Sequence, residues 1–160
     1  MFSASGSNRI EIHSIIDKNK TTVLSQFSSS TNYMDIDETK TMLVACSDDF
    51  SVKLINLSSD KDREINFDGH TGPVMSVAVN GTKRLLASSS CDGSVIVWDI
   101  DKRNALKSLQ LLDKSKDISQ AKNLCRIKWN PNDRNVRRIC IDLQGKHVID
   151  SYLGVACSIE

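Results

Sequence analysis

Apolar residues recur along this chain in short runs broken by small or polar ones, the pattern of half-buried strands. "VMSVAVN" (74–80), "LLASSS" (85–90), "SVIVWDI" (94–100) and "LKSLQLL" (106–112) are rich in Val, Ile, Leu and Ser. Turn formers divide them: "NGTK" (80–83), "CDG" (91–93) and "DKRN" (101–104). The same reading predicts strands near 2–5, 9–15 and 21–27, then near 30–36, 41–47, 52–57 and 63–67. It continues through 74–80, 85–90, 94–100 and 106–112 to 123–129, 137–143 and 147–153, which makes 14 strands. No stretch carries a helical apolar stripe, although "SKDISQAKN" (115–123) is expected to form one polar turn. The fold class is all-β.

The runs repeat. "SDDFSVKLINL" (47–57) and "SCDGSVIVWDI" (90–100) align Asp49 with Asp92, Ser51 with Ser94 and Ile55 with Trp98, at an offset of 43 residues. A weaker copy, "GSNRIEIHSI" (6–15), puts Ser7 in the aspartate's place at an offset of 42, and "DLQGKHVIDSYL" (142–153) reads as a degraded fourth. A period of this length with a GH…WD signature is that of WD repeats, each giving four strands to a propeller blade. The chain is therefore read as a partial WD-repeat β-propeller with two full and two partial blades. The blade pieces are expected at 1–27, 28–69, 70–121 and 122–160.

Within the best copy, His70, Ser88, Asp92 and Trp98 stand at the offsets of the WD-repeat structural tetrad. An indole N–H only donates, so Ser88 is expected to accept from Trp98 and donate to the imidazole of His70. The other ring N–H of His70 then meets the Asp92 carboxylate. The rival reading, a Ser/His/Asp hydrolytic triad, needs a serine facing substrate. No G-x-S-x-G elbow surrounds Ser88, and the preceding copy places Ala45 and Ile55 where Ser88 and Trp98 stand. The four residues are read as architecture, with Asp49 as the corresponding repeat turn.

Composition removes other classes. The chain is 39% hydrophobic and 26% charged with a formal net charge of +1, so no global charge draws it to nucleic acid or acidic lipid. Residues 31–70 carry nine acids against four bases; residues 121–147 carry seven bases against two acids. The basic stretch, whose tight group is Arg134, Arg137 and Arg138, is read as solvated loops in preference to a nucleic-acid footprint. Five cysteines without a CxxC pair argue against a disulfide framework or a zinc site, and point to a reducing compartment. No run approaches a membrane span and no leader pattern opens the chain. Asp35, Asp37, Glu38, Asp48 and Asp49 read as turn acids, not as a hard-cation loop. His13, His70 and His147 lack ligand spacing, and no glycine-rich phosphate loop occurs. No metal, cofactor or enzymatic activity is expected. Candidate interaction loops follow the first and third strands of a blade, with Lys83, Lys102 and Arg103 on two of them and "PNDRNV" (131–136) as a third.

Three stretches together resemble the amino-terminal WD domain of the WD-repeat and HMG-box DNA-binding protein family, replisome adaptors also called acidic nucleoplasmic DNA-binding protein. They are "SDDFSVKLINL", "FDGHTGPVMSVAVN…LLASSSCDGSVIVWDI" and "LQLLDKSKDISQAKNLCRIKWNPN", the last holding a nine-residue spacer at 113–121. The likeness covers roughly residues 5–130 and fades beyond. What it implies is a nuclear, non-enzymatic hub that couples the replicative helicase to DNA polymerase alpha-primase and associates with chromatin or DNA. The full-length family members self-associate through a second propeller that this chain lacks. A four-blade ring would need about 170 residues and a seven-blade ring about 300, so the chain is expected to be a fragment or truncated isoform. The rival function is a generic WD-repeat scaffold or substrate receptor, in ubiquitin ligation or chromatin assembly.

Overall fold

In the computed structural model, the structure describes residues 2–3, 8–14, 16–17, 20–59, 63–82, 84–110, 124–129, 138–143 and 147–152. Among them every regular element is a strand. The first sheet holds β1 (Phe2–Ser3), β2 (Arg9–His13) and β3 (Thr21–Gln26). The second holds β4 (Thr31–Ile36), β5 (Met42–Ser47), β6 (Val52–Asn56) and β7 (Glu64–Phe67). The third holds β8 (Val74–Asn80), β9 (Leu85–Ser90), β10 (Ser94–Asp99) and β11 (Asn104–Gln110), and the fourth β12 (Leu124–Trp129), β13 (Arg138–Leu143) and β14 (His147–Tyr152). Each sheet is an antiparallel meander in chain order. Sheets of three, four, four and three strands are the blades of a partial propeller.

Strand positions follow the sequence pattern closely. β11 differs: it begins at Asn104 instead of Leu106, because a bulge between Val97 and Trp98 carries the β10–β11 pairing on to Asp99↔Asn104. The turn left at 101–103 is tight, and Arg103 closes it with φ 54°. The polar turn expected at 115–123, the spacer at 113–121 and the loop at 131–136 lie outside the described residues.

Burial explains the pattern's two varieties. β5 and β9, central in their blades, are buried at every position, so they read as continuous runs of Leu, Val, Ala and Ser. β11, on the outer edge, is exposed or half-buried throughout and reads as alternation. One core cluster joins Val44, Leu54 and Phe67 of the second blade to Val77, Leu86 and Trp98 of the third. A second joins Ile10 and Phe27 to Leu43, Ala45 and Ile55, and so closes the first blade onto the second.

The innermost strands are stitched to one another by side chains. β4 bulges at Asn32 and β8 bulges at Met75, 43 residues later. Asn32 Nδ2 donates to the Val74 carbonyl at 2.9 Å, and the Val79 amide donates to Asp35 Oδ2 at 3.0 Å. The next seam repeats the device, with the Ile127 amide of β12 donating to Ser76 Oγ at 3.2 Å.

The antiparallel order sends the connections to two ends. The β4–β5, β8–β9 and β10–β11 turns lie at one end; the β5–β6 and β9–β10 turns and the β7–β8 connection lie at the other.

Candidate functional site

Trp98 on β10 stands beside Ser88 on β9, and its Nε1–H donates to Ser88 Oγ at 2.9 Å. Ser88 Oγ lies 2.8 Å from His70 Nε2, and His70 Nδ1 lies 3.0 Å from Asp92 Oδ2. The acceptor-only carboxylate at one end and the donor-only indole at the other set the direction of this chain. Asp92 can only accept, so the neutral imidazole carries its hydrogen on Nδ1; Nε2 then accepts from the Ser88 hydroxyl, whose oxygen accepts from Trp98. Ser88 is fully buried and His70 is 7% exposed. The aspartate takes further donors: the Thr71 amide at 2.8 Å on Oδ2, and the Ser94 amide at 2.8 Å and hydroxyl at 2.6 Å on Oδ1. These bonds tie the β7–β8 connection to the β9–β10 turn. Gly69 lets that connection run over the indole, since a Cβ there would come within 2.9 Å of Trp98 Cη2.

Burial holds the His70 imidazole below its ordinary value, against the opposing pull of Asp92. It is therefore neutral near pH 7. Burial pushes the Asp92 carboxyl up, but the bonds from Ser94 and Thr71 and the His70 ring outweigh it, leaving the group below the usual carboxylate range. Both shifts act with one sign. The unfolded chain protonates the imidazole first as pH falls below its ordinary 6.5, so folding loses stability there; Asp92 adds a further loss below 3.8. Urea midpoints are expected to be lower at about pH 5.5 than at about pH 7.5, and a His70→Phe chain should lose most of that difference. Equal midpoints in the parent chain would contradict this.

The second blade builds the same corner with other chemistry. Forty-three residues before His70, Ser88 and Trp98 stand Phe27, Ala45 and Ile55, buried together in one apolar cluster. Asp49 keeps the role of Asp92: it accepts from the Ser28 amide at 2.7 Å and from the Ser51 amide and hydroxyl at 3.1 and 2.6 Å. An apolar plug thus replaces the polar relay while the aspartate's turn bonds persist. Replacing both partners of a buried bond by apolar groups is close to neutral, whereas stranding one is costly. Ser88→Ala, which strands both Trp98 Nε1 and His70 Nε2, is expected to cost about 2–4 kcal/mol. Adding His70→Phe should recover part of it, so a double-mutant cycle will give a total below the sum of the single losses.

Other candidate residues fall apart from the relay. Lys102 and Arg103 occupy the β10–β11 turn at the opposite end, where the Lys102 amide donates to Asp99 Oδ1 at 2.9 Å. Arg103 lines a cleft of about 240 Å³ between the second and third blades, with Arg84, Asp101 and Met42. Lys83, Arg134 and Arg137 lie outside the described residues; Arg138 opens β13, and its side chain is outside them too. Asp37 is buried as a turn acid, accepting from the Thr41 and Met42 amides at 2.8 and 2.7 Å and from the hydroxyl of Thr39. Cys46 and Cys91 are buried and form no disulfide, and burial pushes the Cys46 thiol far above its ordinary value. Among the described residues no cluster of His, Cys, Asp and Glu is arranged to hold a metal ion. Sequence reading aligned Ser94 with Ser51 without giving it a role, and missed Thr71 and Phe27. The 43-residue offset, applied to every position of the repeat, carries the signal for all three.

Antiparallel four-stranded blades, a 43-residue period and the indole–hydroxyl–imidazole–carboxylate chain define a WD-repeat propeller segment, a class that mediates protein–protein interaction. The family model described as the WDHD1 first WD40 domain matches residues 1–149, and the chain belongs to that family. WD repeat and HMG-box DNA-binding protein 1 of Xenopus laevis is 34% identical over 128 residues, which are 80% of this chain and 11% of that protein. The Homo sapiens protein of that name is 32% identical over 142 residues, 89% of this chain and 12% of its own length. A shorter likeness, 34% over 61 residues, links 38% of the chain to 13% of DDB1- and CUL4-associated factor 10 of Xenopus laevis. The chain spans about one-eighth or less of the relatives it matches most fully.

Proposed function

We propose that this chain is the protein-interaction propeller segment of a nuclear chromosome-replication adaptor. In this reading the whole protein couples the replicative helicase to DNA polymerase alpha-primase and associates with chromatin. The likeness to the WDHD1 first WD40 domain over residues 1–149 carries the proposal. The name of the Xenopus laevis and Homo sapiens relatives, a WD repeat and HMG-box DNA-binding protein, supports the chromatin part.

The segment works as a rigid support for binding loops, without catalysis. The relay supports this: the Ser88 oxygen is buried and already receives the indole N–H, and the second blade does without the relay's His, Ser and Trp. Esterase turnover that disappears in Ser88→Ala while Trp98→Phe retains it would restore the hydrolase reading.

The deciding experiment is co-precipitation with tagged full-length protein from nuclear extract of replicating cells. Helicase and primase subunits are expected to be enriched together. Recovery of a cullin-type ubiquitin ligase without them would favour the substrate-receptor reading, which the shorter likeness to DDB1- and CUL4-associated factor 10 supports.

A further inference from the structure

The turns β5–β6 and β9–β10 are copies of one another. In each an aspartate accepts from the serine two residues on, and the residue between them donates its amide to the serine that starts the turn. These bonds are Phe50 N to Ser47 O at 3.3 Å and Gly93 N to Ser90 O at 3.1 Å. That intervening residue is left-handed in both turns, with φ 73° at Phe50 and 81° at Gly93. Glycine adopts this conformation freely; a bulky aromatic does so against steric strain. Phe50 nevertheless stands there, with 44% of its surface exposed. A strained aromatic held out to solvent, where the equivalent turn has glycine, is an anchor for something outside the chain.

Its surroundings decide what kind. Among the described residues, the connections 27–30, 47–51, 68–73 and 90–94 at this end contain Asp48, Asp49, Asp68 and Asp92 and neither lysine nor arginine. A cleft of about 280 Å³ opens between the first and second blades, walled by Asp49 and Ser51, the two chain neighbours of Phe50, and by Ser28, Lys53, Asn66 and Asp68. It falls just below the roughly 300–1,000 Å³ of a small-molecule site, and suits one long side chain. Lys53, which reaches its wall, is already held by Glu64 Oε1 at 2.8 Å and the Gln26 carbonyl at 2.7 Å. Carboxylates, hydroxyls and an amide receive a guanidinium or ammonium and repel phosphate.

We infer that Phe50 and the cleft beside it form a docking surface for a protein partner presenting an apolar pocket flanked by a lysine or arginine. Phe50 enters the partner's pocket while the partner's cation enters the cleft between Asp49 and Asp68. The turns bearing Lys102 and Arg103 lie at the far end of the blades and take no part. This inference rests on the interaction reading of the propeller, and it names the surface and its partner's chemistry.

The test uses the full-length protein with photoreactive benzoylphenylalanine at position 50, irradiated in nuclear extract, and a control probe at Thr82 on the opposite end. Cross-links specific to position 50 should map to a protein segment containing Lys or Arg. Phe50→Gly and Asp68→Lys should each reduce recovery of that partner at least tenfold, while Phe50→Gly leaves the melting midpoint unchanged or higher. The inference is overturned by cross-links no stronger than those from position 82, by cross-links to nucleic acid, or by recovery indifferent to both substitutions. A lower midpoint in Phe50→Gly overturns the strain argument on which it stands. Helicase and primase co-precipitating without any specific cross-link would end this inference and leave the proposed function standing. A specific cross-link to an unrelated basic partner, without helicase or primase, would do the reverse.

Discussion

Asp92→Ala is expected to lower unfolding stability by about 3–5 kcal/mol, seen as a large drop in the urea midpoint followed by tryptophan emission. The carboxylate collects donors from His70, the Thr71 amide, and the amide and hydroxyl of Ser94. Alanine removes both acceptors together. The Thr71 amide is exposed and can turn to water, so its loss weighs little. The Ser94 amide and hydroxyl are buried, and each stranded donor costs about 1–3 kcal/mol; His70 Nδ1 keeps the Ser94 oxygen, 3.1 Å away, as its one remaining acceptor. Asparagine does not rescue the site cleanly, because both carboxylate oxygens face donors and one would become an NH₂. A loss below about 1 kcal/mol would show that the relay does not hold this corner together.

Phe67→Ala is the second large effect, also expected at about 3–5 kcal/mol. Phe67 ends the outer strand of the second blade, a position where the third blade's outer strand is exposed, yet it is 2% exposed itself. Trp98 of the next blade covers it, with ring centroids 5.6 Å apart and planes tilted by 58°. Truncation would open a cavity at the seam and free the connection that carries His70. The relay should therefore loosen along with the seam. Hydrogen exchange at the Thr71 amide, which donates to Asp92, is expected to accelerate in this variant; unchanged exchange there would separate seam from relay.

Much of the fold was legible because propeller blades are built from local meanders. Each strand pairs with its neighbour in sequence, so the turn signals "NGTK" and "CDG" mark strand ends without any knowledge of distant contacts. The quartet His70, Ser88, Asp92 and Trp98 was legible for a related reason: fixed offsets within a repeat become fixed places on adjacent strands. Phe27 is marked as the counterpart of His70 by the 43-residue offset alone, since an aromatic before a serine run otherwise reads as ordinary core. The stitches of Asn32 and Asp35 to Val74 and Val79 were also hidden, since they join residues more than forty positions apart and depend on how blades sit side by side. Phe50 is marked only by its alignment with the turn glycine Gly93; that the backbone stays left-handed there despite the aromatic side chain needed the structure.

The corner filled by Phe27, Ala45 and Ile55 and the one wired by His70, Ser88 and Trp98 will not tire under the same stress. Apolar burial weakens on cooling, so the oily corner is the one that chilling loosens. Falling pH reaches the imidazole long before it reaches the Asp49 carboxylate beside the oily corner, so acid opens the neighbouring blade first. One chain thus carries two adjoining joints with separate weaknesses, and a mild insult to either leaves its neighbour as the splint.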